Sequence, residues 1–291
     1  MSKILGAYNN NFIFSFKEDM FVNRIISLIV LLFLSGTIFA QRHEIGAKAG
    51  VTNYFGDLNH ELRIEPNLGF AQLLYKNNQT KFYSFGFSLS IGQFSSSDAK
   101  SINAWQVNRN ASFSTSVNEI ATFLEFNFLP TDKSGKKNFA SPFFKVGTGV
   151  FTKTVYSQFG ADGVQLSGLY TEAQTLNRGR PLGLSIFLMY GLGVKFGIGK
   201  HIGFGLDFSL RKTSSDYLDD ISTVYPDEDL LRRVYGEEAD VTLEYVNTSL
   251  NQNIDMQGKQ RGSNFKNDDY VFAGFFFTYT INNPKCPLVV E

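Results

Sequence analysis

The sequence is poor in the residues that form disulfides or bind metal ions. It contains a single cysteine, Cys286, in 291 residues, so it cannot form an internal disulfide. In an exported protein a lone cysteine indicates a free thiol or an intermolecular bond. The 27 basic and 27 acidic residues cancel, which removes the basic footprint expected of a nucleic-acid-binding protein. No HExxH motif or cysteine cluster indicates a zinc site. We therefore expect no nucleic acid partner, no metal and no cofactor.

Proline and tryptophan are also scarce, with 7 and 1 residues, whereas 30 Phe, 13 Tyr and 26 Gly are present. Enrichment in aromatic residues and glycine, without blocks of helix-favouring residues, predicts a chain built mainly of β-strands.

Long apolar runs are absent except near the N-terminus. Residues 25–34 are almost wholly apolar and follow Arg24, and small residues lead to Ala40. This order predicts a signal peptide over residues 20–40, cleaved after Ala40. The run is short of the about 20 residues of a transmembrane helix, so an N-terminal anchor is the weaker alternative. We expect residues 1–19 to be an upstream extension, with Met20 as the true start, and residues 41–291 to form the mature domain.

Apolar residues alternate with small or polar ones in eight segments of the mature domain. In residues 182–198 every even position is apolar, and this face is longer than that of an ordinary strand of about 5–6 residues. Similar segments lie near 45–51, 85–92, 119–128, 144–150, 202–211 and 271–281, and the segment near 68–75 has an ambiguous face. Such alternation predicts membrane-spanning β-strands.

The connections between these segments alternate between long and short. The long ones are 53–66, 93–116, 152–180 and 213–268, and the short ones are 76–80, 130–140 and 199–201. This asymmetry is typical of an outer-membrane barrel with long outer loops and short periplasmic turns. We therefore predict an all-β fold, an eight-stranded antiparallel transmembrane β-barrel of the OmpA-like kind, with a periplasmic tail over residues 282–291. A soluble lipocalin-like barrel is the alternative.

The face opposite the apolar one carries charged residues, and an eight-stranded barrel is only wide enough for side chains to fill its interior. Because buried charges must be paired, we predict an ion-pair network that plugs the lumen, and no open pore. Its predicted members are Lys48, Glu119, Glu125, Lys145, Lys195, Asp207 and Arg211.

Candidate sites for catalysis or ligand binding are weak. Only His60, beside Asp57 and Glu61 in the first long loop, is placed for the Ser/His/acid site of an outer-membrane hydrolase, and a solvated histidine is the better interpretation. Residues 216–229 are rich in aspartate, but their spacing matches no EF-hand, so we expect a solvated or lipopolysaccharide-facing loop. We expect no enzyme activity and no small-molecule substrate.

Several short motifs resemble the PorG family, outer-membrane barrels of Bacteroidetes linked to the type IX secretion system. The resemblance spans residues 44–287 and rests on the order and spacing of the motifs. The matching segments are Tyr54-Phe55-Gly56-Asp57-Leu58, Asp216-Tyr217-Leu218-Asp219-Asp220, Gln260-Arg261-Gly262, Asn267-Asp268-Asp269-Tyr270-Val271-Phe272 and Pro284-Lys285-Cys286-Pro287.

The resemblance implies a structural role in protein secretion, and in gliding motility in some species. A PorG-like barrel would tie a periplasmic ring, made of a PorK-like lipoprotein and a PorN-like partner, to the outer membrane. The basic turn with Asp132, Lys133, Lys136 and Lys137 could then dock an acidic surface, and Cys286 could form an intermolecular disulfide in the oxidising periplasm. A generic OmpA-like barrel for adhesion or envelope stability is the main alternative, and a small outer-membrane hydrolase a weaker one. Lipid and lipopolysaccharide are expected neighbours in each case.

Overall fold

The structure is a computed structural model that describes residues 42–59, 63–64, 67–131, 139–157, 164–166, 171, 183–251, 256–263 and 267–281. The predicted extension, signal peptide and C-terminal tail lie outside these ranges.

Eight antiparallel strands form one closed barrel in which each strand pairs with its neighbours in the sequence, and the last strand closes onto the first. The predicted fold class is confirmed. The strands are β1 (Arg42–Phe55), β2 (Asn67–Asn78), β3 (Tyr83–Ser97), β4 (Ser112–Asn127), β5 (Phe139–Ser157), β6 (Leu184–Ile198), β7 (Ile202–Thr213) and β8 (Asp269–Ile281). Closure leaves no sheet edge with unpaired backbone groups, as a barrel in lipid requires.

Burial alternates along each strand with the period of two that the sequence indicated. On β2 the face was ambiguous in the sequence because both sides carry apolar residues. The structure places Gln72 and Lys76 in the interior, where they are buried, and leaves Leu73 and Tyr75 exposed on the exterior. The polar and charged side chains of Gln72 and Lys76 therefore identify which face of β2 points into the barrel.

Strands β3, β4 and β5 continue beyond the segments predicted from alternation. Strand β3 pairs with β4 up to Ser97 and Ser112, inside the range 93–116 that we predicted to be a loop. The exterior positions there are small and polar, such as Ser95 and Ser116, so the apolar signal disappears although the hydrogen-bonded ladder continues. The barrel wall is therefore taller at the end that carries the long loops.

Short helices lie in two of the long loops. Helix α1 (Ala104–Arg109) follows a 3₁₀ turn between β3 and β4, and helices α2 (Glu228–Tyr235) and α3 (Glu238–Val246) lie between β7 and β8. Asp227 caps α2 by accepting a hydrogen bond from the backbone N–H of Leu230, and α2 ends at Gly236, which has a positive φ of 59°. The longest loop is therefore a folded segment and not a simple connection.

Candidate functional site

The barrel exterior carries a belt of exposed apolar side chains. Along β4 and the residue that follows it, the belt runs from Ile120 to Phe128, which matches the roughly 9–11 residues that a tilted strand needs to cross a bilayer. Beyond Ile120 the next exterior positions are Asn118 and Ser116, so the belt ends there. Its members on the eight strands include Ile45, Val51, Leu73, Leu89, Ile91, Ile120, Leu124, Val146, Leu188, Leu192, Leu206, Phe208, Phe275 and Phe277. This exterior is that of a transmembrane barrel.

Aromatic side chains are concentrated in this belt near the end with the short turns. Tyr75, Tyr83, Phe126, Phe204 and Tyr279 are all exposed there. His43 and His201, which flank the same end, stack on Tyr75 and Tyr279 with centroid separations of 5.9 and 5.4 Å. Aromatic girdles of this kind mark the boundary between lipid and headgroups. His43 and His201 therefore contact the aromatic girdle at this end.

The interior near the short-turn end holds a four-member ion-pair cluster. Glu125 pairs with Lys195 and also with Lys76, whose Nζ lies 3.4 Å from Oε2. The same Lys76 Nζ lies 3.5 Å from Oε1 of Glu44. All four side chains are buried. Two carboxylates and two ammonium groups therefore compensate one another across β1, β2, β4 and β6.

A second group of charges occupies the middle of the lumen. Asp207 on β7 forms ion pairs with both Lys48 and Lys145, and all three are nearly fully buried. Because this carboxylate joins β1, β5 and β7, it fastens three strands that are not sequence neighbours. Its two oxygens each contact one of the lysines.

The third group lies nearer the long-loop end and is centred on Arg211. Its guanidinium Nε lies 3.2 Å from Oε1 of Glu119, and the hydroxyl of Tyr270 donates to the same oxygen at 2.5 Å. The guanidinium also lies over the ring of Phe272, 4.0 Å from its centroid. Arg211 is completely buried, so its charge is neutralised entirely by contacts within the barrel.

The seven predicted lumen residues are thus all buried in the barrel interior, and each forms an ion pair with another of the seven. Two further members, Glu44 and Lys76, were missed. The sequence contained the signal for Glu44, because this residue lies four positions before Lys48 and therefore on the same face of β1. The ambiguous face of β2 hid Lys76.

Glycines on the inner face make room for these long side chains. A Cβ added at Gly191 would lie 2.5 Å from Cε of Lys145. A Cβ at Gly193 would collide with the ring of Phe143. The glycines of 191–197 therefore belong to lumen packing.

The space between the first two charge groups is small. A cavity of about 20 Å³ lies among Lys48, Lys76, Glu125, Lys145 and Asp207, which is room for about one water molecule. At this level of the barrel the lumen is therefore filled by paired side chains.

The long-loop end is closed by an assembly that we call the loop cap: residues 56–59, 98–111, 214–251, 256–263 and 267–268. Arg109 of α1 holds it together, because its guanidinium forms an ion pair with Asp98 (2.6 Å) and donates to the carbonyl oxygens of Arg261 (2.6 Å) and Asp57 (3.1 Å). Thr248 donates to the carbonyl of Arg109 at 2.9 Å. Three different loops are therefore joined at one side chain.

Four of the five motifs that carry the family resemblance meet in or next to the loop cap. The hydroxyl of Tyr54 lies 2.7 Å from Oδ2 of Asp219 and 2.8 Å from Oδ1 of Asp268. Arg261 donates to the carbonyl of Asp220 at 2.7 Å. Segments far apart in the sequence thus build a single cluster. Our expectation of a solvated aspartate loop was wrong for Asp219 and Asp220, which are only 2% and 8% exposed because they bond inward to the barrel rim and the neighbouring loops.

The predicted partner-binding residues Asp132, Lys133, Lys136, Lys137 and Cys286 lie outside the described residues, as does His60. Within the described ranges, no group of three or more His, Cys, Asp and Glu side chains is arranged to hold a metal ion. No helix in that part of the chain is both long and apolar enough to cross a membrane.

Three solved structures are similar to this chain at low identity. The attachment invasion locus protein Ail of Yersinia pestis has 8% identity and a TM-score of 0.40, with 84% of this chain and 100% of Ail covered. Neisserial surface protein A has 8% identity and a TM-score of 0.38, with 82% and 97% covered. The N-terminal β-barrel domain of Pseudomonas aeruginosa OprF has 8% identity and a TM-score of 0.35, also with 82% and 97% covered. Likenesses this weak carry no information on function.

No curated protein matches the sequence. One family model does, over residues 23–251, which is most of the chain and includes β1 to β7. The chain therefore belongs to the family described as "Domain of unknown function (DUF6089)".

Proposed function

We propose that this chain is a non-enzymatic outer-membrane barrel of a Gram-negative bacterium of the Bacteroidetes. In this proposal it is a structural component of the type IX secretion system. It tethers the periplasmic ring of a PorK-like lipoprotein and a PorN-like partner to the outer membrane.

The observation that supports the proposal most is the filled lumen. Five cationic and four anionic side chains occupy the interior, each in contact with at least one opposite charge, where a porin would hold water: Lys48, Lys76, Lys145, Lys195, Arg211, Glu44, Glu119, Glu125 and Asp207. A barrel without a channel acts through its two rims and its exterior. The resemblance of the motifs to PorG then supports a role at the periplasmic rim.

The candidate docking residues at this rim are Asp132, Lys133, Lys136 and Lys137, in the turn between β4 and β5. Three lysines against one aspartate would favour an acidic partner surface. Cys286, in the periplasmic tail, is the candidate for a disulfide with a partner.

Deleting the gene and measuring secreted cargo tests the role in secretion. We expect cargo to be retained in the cells, and wild-type levels of cargo in the medium would overturn the proposal. A generic adhesion or envelope barrel predicts normal secretion in the same strain.

A charge-reversal variant tests the docking turn. Replacing Lys133, Lys136 and Lys137 by Glu should reduce recovery of the ring with an affinity-tagged barrel, because repulsion replaces attraction to an acidic surface. Lys259→Glu, an exposed change in the loop cap, is the matched control and should leave recovery unchanged. Equal recovery with both variants would remove the turn from the proposal.

A Cys286→Ser variant tests the disulfide. Non-reducing gels of the wild-type chain should show a higher-mass species that disappears on reduction and is absent from the variant. A wild-type chain that runs only as a monomer would exclude the intermolecular bond.

A further inference from the structure

The loop cap contains a tyrosine hydroxyl placed between two buried carboxylates. Tyr54, near the end of β1, points into the cap, and its Oη lies 2.7 Å from Asp219 and 2.8 Å from Asp268. Asp219 is 2% exposed and Asp268 is 1% exposed. Both distances are those of O–H···O hydrogen bonds.

The number of hydrogens decides the protonation of this group. A phenol carries one hydrogen and donates one hydrogen bond, while an ionised carboxylate can only accept. Two short contacts from one phenol oxygen to two carboxylate oxygens therefore require a second hydrogen. That hydrogen has to lie on Asp219 or on Asp268, so that one carboxyl donates to the phenol and the phenol donates to the other.

The surroundings do not supply enough positive charge to keep both carboxylates ionised. Each accepts one backbone N–H, from Ile221 to Asp219 and from Leu218 to Asp268, both at 2.9 Å. Neither forms an ion pair with any residue that the structure describes. The charged groups that face the pair from the loops and from β5 are Asp57, Asp98, Arg109, Lys153, Asp216, Asp220 and Arg261.

Within this set three cations already face four carboxylates besides Asp219 and Asp268, so the surroundings carry a net negative charge before the pair is counted. Lys153 donates to the hydroxyl of Ser215 at 2.9 Å and to the carbonyl of Tyr217. Arg109 pairs with Asp98, and Arg261 donates to the carbonyl of Asp220. A second buried negative charge at the Tyr54 group would therefore remain uncompensated.

We propose that Asp219 and Asp268 hold one proton between them through Tyr54, and that release of this proton to solvent opens the loop cap. The inference concerns the end of the barrel opposite the proposed docking turn, so it stands or falls separately from the proposed function. It makes the loop cap a pH-dependent closure.

The direction of the pH dependence follows from the pKa values. Burial, followed by the charges of Asp268 and Asp57, raises the pKa of Asp219 well above its usual value. Burial likewise raises the pKa of Asp268. In the open cap these carboxyls would be solvated, with pKa values near 4. The closed cap therefore binds more protons, and its stability relative to the open cap falls as pH rises from the open-state pKa to the raised closed-state pKa.

Opening would expose a buried apolar surface. Leu58, Phe94, Phe113, Leu218 and Ile221 belong to one hydrophobic cluster at this end of the barrel, and all are at most 2% exposed. The hydroxyl of Thr115 on β4 also donates to the carbonyl of Leu218 at 2.5 Å. The Tyr54 group thus lies among the contacts that attach the longest loop to the barrel wall.

Infrared spectroscopy of the full chain, folded in detergent micelles, tests the protonation directly. At neutral pH we expect the C=O band of a protonated carboxyl, well separated from carboxylate bands. The band should be lost in Asp219→Asn and in Asp268→Asn, because in each variant the single remaining carboxylate accepts from Tyr54 and ionises. Asp240→Asn, an exposed change in the same loop, is the control and should keep the band.

Trp105 reports on the closure. It is the single tryptophan of the chain, and its ring lies 4.9 Å from the guanidinium carbon of Arg109 at the centre of the loop cap. We expect its fluorescence to change as pH rises, with the opening equilibrium increasing about tenfold per pH unit, because one proton is released. The amide of Asp219→Asn can donate to the Tyr54 oxygen, so this variant should stay closed over the same pH range.

Two results would overturn the proposal. One is an infrared result at neutral pH in which the wild type has no protonated-carboxyl band, or has one that neither Asp219→Asn nor Asp268→Asn removes. The other is a Trp105 response to pH that is identical in the wild type and in Asp219→Asn, because the transition would then belong to another group.

Discussion

Asp207 is the residue on which the middle of the lumen depends. It forms ion pairs with Lys48 and Lys145 at once, and both ammonium groups are nearly inaccessible to water. A buried ion pair is not by itself strong evidence for stability, because desolvation offsets much of the attraction. Removing the Asp207 carboxylate alone is more costly than the loss of a whole ion pair, since it leaves two buried positive charges next to each other.

We expect Asp207→Asn to lower the free energy of unfolding by about 3–5 kcal/mol, the cost of breaking a buried charge pair. Urea unfolding of the barrel in lipid vesicles measures this loss. Asp240→Asn breaks an exposed pair with Arg232 and should cost at most about 1 kcal/mol. Equal, small losses for both variants would mean that water reaches the lumen charges.

The charge network shows what alternation can reveal at the residue scale. A charged residue within a strand pattern identifies the inner face, and this reasoning finds Lys48, Lys195 and Asp207. It fails where the pattern itself is unclear, as at Lys76. It also gives no information on long-range partners inside loops, so the burial of Asp219 and Asp268 against Tyr54 could not be derived from composition or spacing.

At the scale of elements, the sequence predicts where strands cross the apolar layer better than where they end. The segment 182–198 is predicted almost to its limits because its exterior is apolar throughout. On β3 and β5 the ladder continues past the belt, where exterior positions such as Ser95 and Thr154 no longer contrast with the interior. The period-two signal therefore measures contact with lipid, and backbone hydrogen bonding extends further.

The edge of the belt on β4 can be tested with two arginine substitutions. Leu124 is 54% exposed at the middle of the belt, and Asn118 is an exposed exterior residue just beyond its edge. Leu124→Arg should destabilise the barrel in lipid vesicles by about 2–4 kcal/mol, and Asn118→Arg by about 0–1 kcal/mol. Similar costs at both positions would show that the bilayer boundary lies elsewhere.

At the scale of the whole molecule, four of the five motifs that resemble the PorG family lie at the end of the barrel opposite the proposed docking turn. Tyr54, Asp57, Asp219, Arg261 and Asp268 assemble the loop cap, far along the strands from the turn between β4 and β5. These motifs therefore specify how the long loops close the barrel. The proposed contact with a periplasmic partner uses the turn between β4 and β5 and Cys286, which lie outside the loop cap, so the two proposals need separate experiments.

The filled lumen makes a prediction for the intact barrel. Three groups of ion pairs occupy successive levels between the short-turn end and the loop cap, and the cavity between the first two groups has room for about one water molecule. Ions would have to displace paired charges and then pass the loop cap. Planar-bilayer recordings of the purified chain should therefore show no conductance of porin size. Asp207→Ala removes the carboxylate of the middle group and is therefore the variant to compare. Any current through it should remain far below that of a porin, because the other two groups of ion pairs are intact. A stable wild-type channel of porin size would contradict both the plugged lumen and the argument that this barrel acts through its rims.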